Sequence, residues 1–136
     1  MKALKWSMFG ALILSVLIVL TTCLSKPEVL VMDDTEGVVA ILDAIYPAGS
    51  VIDNDLPNAE YERAITKMEY IRYEVKEINV GGTVQPLKDL ALEFCDEMIT
   101  STEYAENGNF DKATIHMERA TAAVEMMTEF VQEFGY

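Results

Sequence analysis

The chain has 136 residues, of which 51% are hydrophobic, and its formal net charge is −13. A chain of this length is expected to form a single domain. Its excess of acidic residues repels nucleic acid and anionic lipid headgroups, so no nucleic-acid partner is expected. The two cysteines are too few to form a disulfide scaffold.

The N-terminal part of the chain has the layout of a secretory leader. Lys2 and Lys5 precede a long apolar run, ending at Leu24, that contains no charged residue. At about 1.5 Å per residue, this run is just long enough to span the hydrocarbon core of a membrane. The sequence therefore predicts a signal peptide or an N-terminal membrane anchor over residues 1–24, followed by a tether over residues 25–34.

The end of the apolar run carries a more specific pattern. Leu20, Thr21, Thr22 and Cys23 resemble the lipobox of prokaryotic lipoprotein signal peptides, in which a Leu stands three residues before a Cys. The sequence departs from that pattern at Thr22, where Gly, Ala or Ser is normal. The resemblance implies that Cys23 becomes the lipidated first residue of the mature chain.

Two other fates of the leader stay open. The run can remain as an uncleaved anchor, with Trp6 near the headgroups and the two lysines on the cytoplasmic side. It can also be removed without lipidation, although no A-x-A-like site follows it. The basic flank and the N-terminal position disfavour a buried core helix of a soluble protein. All three remaining fates tether or export the chain and place its domain on the extracytoplasmic side of the cell membrane.

Residues 35–136 are predicted to form an acidic helical domain. Residues 25–136, the tether and the domain together, contain eight of the ten basic residues and all 23 acidic ones, so their formal net charge is −15. Cationic proteins, metal cations and neutral surfaces are the partners that fit this charge.

A short first helix is expected to end at Pro47, because proline cannot continue a helix. The sequence predicts a loop over residues 46–57, which contain two prolines. The side chains that can cap the start of this helix are Asp33, Asp34 and Thr35.

Three longer helices follow in the sequence pattern. The first covers residues 58–79, and the second has Pro86 in its first turn and ends at Asn107 and Gly108. The third is capped by Asn109 and stopped by Gly135. Its apolar residues are spaced alternately by three and four, as in a bundle seam: Phe110, Ala113, Met117, Ala120, Val124, Met127, Val131 and Phe134.

The predicted fold class is all-α, with an N-terminal hydrophobic segment followed by a small antiparallel bundle of three long helices and one short helix.

One turn has a local resemblance to a known repeat. Tyr104, Gly108, Phe110 and Ala113 are spaced as in the inter-helix turn of a tetratricopeptide repeat. The pattern occurs once, whereas stacked repeats need several units, so we interpret it as turn chemistry.

Few residues in the domain point to chemistry. His116 is the only histidine, and Glu118 points to another side of its helix, so we interpret His116 as a partly exposed structural residue. Cys95 has no basic neighbour in sequence and is interpreted as a small buried hydrophobic residue. A disulfide from Cys95 to Cys23 is the alternative and would leave no lipid anchor.

Two acidic groups are candidates for a cation site. Asp53, Asn54 and Asp55 are similar to the opening of a calcium loop but lack its later ligands, so we expect them to cap the next helix. The second group is expected to be a solvated helix face and consists of Asp89, Glu93, Asp96 and Glu97. No metal, catalytic or cofactor-binding residue is predicted.

The methionines are expected to divide between the core and the surface. Met68, Met98 and Met117 fall on helix seams and are expected to fill the core. Met126 and Phe130 fall beside the seam of the last helix, where they can widen it or leave an exposed patch.

The predicted function is a non-enzymatic, membrane-tethered helical bundle that binds a partner protein or supports an envelope assembly. The alternative is a sensory or ligand-binding or cation-binding ectodomain.

Overall fold

The computed structural model describes Ile13 and residues 32–135, and within this part all regular structure is helical. The predicted fold class, an antiparallel bundle of three long helices and one short one, is confirmed. In chain order the elements are α1 (Met32–Ile45), α2 (Ala48–Ser50), a π-helical turn (Val51–Asp55), α3 (Tyr61–Glu77), α4 (Gln85–Glu106) and α5 (Phe110–Phe134).

Helix α4 is the centre of the bundle. It packs along both α3 and α5, and α1 lies against α3 and α4. Arg72 Nε lies 2.6 Å from Asp96 Oδ1 and joins the exposed sides of α3 and α4. Inside the bundle, Ser101 Oγ donates a 2.6 Å hydrogen bond to the carbonyl of Ala113, which fixes the register of α4 against α5.

One continuous apolar core holds these helices together. Ile13, within the predicted leader, is helical, fully buried and part of this core. The other members of the core lie between Val38 and Val131. The largest fully buried side chains include Phe94, Ile41, Leu42, Met68, Leu87, Met98 and Met117. The prediction that Met68, Met98 and Met117 fill the core is therefore confirmed.

The loop predicted over residues 46–57 is wrong. Pro47 does end α1, but it then starts a new helical turn, since its φ of −60° already suits a helix. This turn and the π-helical turn after it bury four apolar side chains at helical spacing: Ala48, Val51, Ile52 and Leu56. Proline and glycine marked the break correctly, but burial of these side chains keeps the segment helical.

The capping role expected for Asp53, Asn54 and Asp55 is also wrong. These residues belong to the π-helical turn, and α3 begins only at Tyr61, three residues later than residues 58–79 suggested. Glu60 stands at the N-cap of α3 without a side-chain cap. Helix α1 begins at Met32, so it also starts before its predicted capping residues.

The turn between α4 and α5 forms as its sequence predicts. Gly108 has a φ of +77°, a conformation that glycine adopts without steric cost. The amides of Gly108 and Asn109 donate to the carbonyls of Ala105 and Tyr104, the two bonds of a Schellman motif. Asn109 Oδ1 then accepts a hydrogen bond from the amide of Lys112 and caps α5.

Candidate functional site

Helix α5 has an apolar side toward the core, as its seam predicts. The six inner residues of the seam, from Ala113 to Val131, are buried, and Phe110 and Phe134 at the two ends are partly buried. Phe130 is partly buried as well and stacks on Phe134, with 5.7 Å between the ring centroids. Of the two residues beside the seam, only Met126 is therefore left exposed.

A second apolar line runs along α5 on the side away from the core. Ile115 is 48% exposed and Met126 is 54% exposed, and Ala122 between them is also exposed. Their spacing of seven and then four residues puts the three side chains in one line, because an α-helix completes a turn about every 3.6 residues. We call Ile115, Ala122 and Met126 the outer stripe.

Carboxylates line one edge of the outer stripe. Asp111, Glu118 and Glu125 recur every seven residues, Glu129 follows, and all four are exposed. Each lies three or four residues from a member of the outer stripe and is therefore its neighbour on the helix surface. No lysine or arginine occurs from Ala120 to the C-terminus. We call Asp111, Glu118, Glu125 and Glu129 the acidic edge.

His116 is held between α4 and α5. Its Nδ1 lies 2.6 Å from Glu97 Oε2, and each of the two side chains is 20% exposed. The imidazole also stacks on the ring of Tyr104, with 5.4 Å between centroids, and Lys112 Nζ lies 5.3 Å from the centroid of that ring. The geometry agrees with a partly exposed structural histidine, but its carboxylate partner, on another helix, was not predicted.

Cys95 is a free and fully buried thiol on α4. Burial raises the pKa of Cys95 from its ordinary 9.0 to about 12, and the neighbouring Asp96 adds to this shift, while Arg72 opposes it. The interpretation of Cys95 as a small buried hydrophobic residue is confirmed. A thiol with this pKa carries almost no thiolate at neutral pH and is a poor nucleophile.

The acidic residues of α4 are largely occupied by protein partners. Asp89 accepts a 2.8 Å hydrogen bond from Gln85, Asp96 pairs with Arg72 and Glu97 pairs with His116. Among the residues that the structure describes, no three His, Cys, Asp or Glu side chains are grouped to hold a metal ion.

Asp55 is the one carboxylate that is buried in the described part of the chain, with 3% of its side chain exposed. Lys67 Nζ lies 2.7 Å from its Oδ2, and Arg63 Nη1 lies 4.0 Å from its Oδ1. The ammonium approaches outside the hydrogen-bonding direction, so Oδ2 accepts no hydrogen bond. Because a buried charge needs a partner, these cations tie the π-helical turn to α3.

An open depression lies over the connection between the π-helical turn and α3. Its volume is about 380 Å³, and Ala59 within it has a φ of +56°, an uncommon conformation for a residue other than glycine. Backbone strain of this kind often marks a binding site. The depression is lined by Ala59, Glu60, Tyr61, Glu62, Arg63 and Glu106.

Cys23, the predicted lipidation site, lies outside the described residues. Within those residues one helical stretch of 22 residues, Asp34–Asp55, is long and apolar enough to cross a membrane, and a window of 18 residues within it has a mean hydropathy of 1.3. Half of that window is buried in the bundle, and core helices of soluble proteins and signal sequences meet the same criteria of length and composition. This stretch thus marks an apolar helix near the N-terminus without fixing its topology.

Comparison with known proteins gives no relatives for this chain. No protein-family model, no curated protein and no solved structure matches it.

Proposed function

We propose that this chain is a non-enzymatic, membrane-tethered protein whose acidic helical domain binds a partner protein or supports an envelope assembly on the extracytoplasmic side of the cell membrane. The outer stripe carries this proposal. Helix α5 already satisfies the core with its inner seam, yet it presents Ile115 and Met126 to solvent. Exposed apolar side chains aligned on one helix are suited to a partner helix.

The state of the polar side chains favours binding over catalysis. Cys95 is buried and has a raised pKa, and both His116 and Glu97 are engaged with each other. Tyr70 on α3 is 64% exposed, and its hydrogen bond to Glu74 raises the pKa of its phenol further from neutrality. Neither Cys95 nor Tyr70 is therefore poised as an acid, base or nucleophile near neutral pH.

Site-specific photo-cross-linking in cells tests the proposal. A benzophenone amino acid in place of Met126 should give a discrete cross-linked product in the membrane fraction. The same group in place of Glu77, an exposed residue of α3, is the matched control and should give none. Equal patterns at the two positions, or no product at either, would contradict the proposed docking role of α5.

The depression at Ala59 favours a second candidate, a sensory or ligand-binding ectodomain. Three of the lining residues are acids, Glu60, Glu62 and Glu106, and Arg63 is paired with Glu60 at 2.5 Å. This lining suits a small ligand with an amine or another cationic group.

A ligand that binds only the folded state raises the melting temperature of the protein. Thermal shift measurements can therefore test whether the depression binds a ligand. Diamines should raise the melting temperature of the wild type and should do so less for Glu106→Gln. No shift with the wild type would exclude diamines as ligands. The matched control is Glu77→Gln, which lies outside the depression.

A further inference from the structure

We infer that the outer stripe and the acidic edge of α5 together form a docking site for a cationic amphipathic helix. This inference rests on the proposed function and adds the chemical class of the partner. The apolar component supplies contact area, and the carboxylates select a partner that carries lysine or arginine beside its own apolar residues.

The apolar component has the dimensions of a short helix contact. Ile115 and Met126 are eleven residues apart, which corresponds to about 16 Å along the helix axis. A partner helix of about three turns covers this distance with anchors spaced by three or four residues. Ala122 in the middle is small and allows the partner backbone to approach, and Met126 adapts to side chains of different shape.

Charge identifies the partner more closely than shape does. The four carboxylates of the acidic edge lie along one side of the outer stripe. Lys112 and Arg119 are the two cations of α5, and Lys112 is engaged with the ring of Tyr104. A neutral or acidic helix would remove these carboxylates from water without offering them a positive charge. A lysine-rich or arginine-rich helix pairs with them.

A second copy of this chain fits the site less well. The portion beyond the leader carries a formal charge of −15, so two copies repel each other as they approach. Anionic membranes and nucleic acids are repelled for the same reason. The partner that remains is a basic segment of another protein.

The test uses a dye-labelled helical peptide of leucine, alanine and lysine, with leucines spaced by three and four. The full chain is held in phosphatidylcholine nanodiscs, and empty nanodiscs give the background. Binding is followed by fluorescence anisotropy. The triple variant Glu118→Gln, Glu125→Gln, Glu129→Gln removes most of the acidic edge. Its matched control is Glu69→Gln, Glu74→Gln, Glu77→Gln on α3, which removes the same total charge from exposed positions outside the depression.

The α5 triple variant should weaken binding by about tenfold, and the α3 triple variant by less than about twofold, because screened charges act over short distances. Met126→Ser should also weaken binding, and a peptide with glutamate in place of lysine should not bind. Equal losses in the two triple variants would overturn the inference, since they would indicate attraction by net charge alone.

Two further outcomes would overturn it as well. The first is that the full chain dimerises outside nanodiscs and that Met126→Ser abolishes this dimerisation, which would assign the outer stripe to a second copy. A position-specific cross-link at Met126 in cells, without peptide binding in vitro, would leave the proposed function standing and reject only the cationic partner.

Discussion

The thiol of Cys95 shows how burial controls the chemistry of a single residue in this domain. Its side chain is fully covered on α4, and its pKa is raised to about 12. Iodoacetamide should therefore leave Cys95 unmodified in the folded full chain and alkylate it in guanidinium, as measured by peptide mass spectrometry. Rapid alkylation under native conditions would show that this part of α4 opens.

The same pKa shift predicts how stability depends on pH. A thiol with a raised pKa in the folded state stabilises that state below pH 9 and loses this contribution as the pH rises toward 12. The advantage in melting temperature of the wild type over Cys95→Ala should accordingly narrow between about pH 8 and about pH 11. An unchanged difference would contradict the burial of the thiol.

Residue roles could be predicted only where local sequence determines them. The position of Cys95 on its helix and the absence of basic neighbours in sequence were enough to interpret it, although Arg72 approaches it from α3. The partner of His116 could not be found in the same way, because Glu97 lies nineteen residues away on another helix. Spacing rules within one helix contain no information on such a contact.

At the scale of the element, the seam of α5 is the most direct source of stability. Val124 and Met127 are both fully buried at mid-helix. Truncation of a buried Val or Met to Ala typically costs about 1–4 kcal/mol, and a small domain has about 5–15 kcal/mol in total. The double variant Val124→Ala, Met127→Ala should lower the melting temperature by many degrees, measured by circular dichroism.

The control for this prediction lies on the same helix. Glu125 and Glu129 are exposed, so Glu125→Ala and Glu129→Ala should change the melting temperature little. If the seam variant melts like the wild type, the seam is not packed against α4 in solution. The seam would then be the exposed face of α5, and the outer stripe would be the face that packs against the bundle.

Elements differed in how far their sequences determined them. The seam of α5 contains seven successive spacings of three or four residues. This long pattern predicted the first and last residues of the helix to within a residue. Residues 46–57 were predicted incorrectly because proline and glycine signal a break without showing that Val51, Ile52 and Leu56 become buried. The outer stripe has only three members, and alanine at 122 gives no apolar signal, so its periodicity could not be recognised.

At the scale of the whole molecule, the domain beyond Ser25 should fold without the leader. Among the residues that the structure describes, all core members apart from Ile13 lie between Val38 and Val131, and the connections between α3, α4 and α5 are short. A chain beginning at Ser25 should give a far-ultraviolet circular dichroism spectrum dominated by helix. A spectrum dominated by coil or strand would mean that the apolar run around Ile13 is an integral part of the core.

The state of the native N-terminus determines how the protein is tethered to the membrane. Intact-mass spectrometry of the protein purified from its own membranes, together with metabolic labelling by a fatty acid, should show a chain that begins at a lipidated Cys23. Cys23→Ser should abolish the label and release or misprocess the protein. A full-length, unlabelled wild type, with the Cys23→Ser chain equally retained in the membrane, would contradict lipidation and leave an uncleaved anchor as the tether.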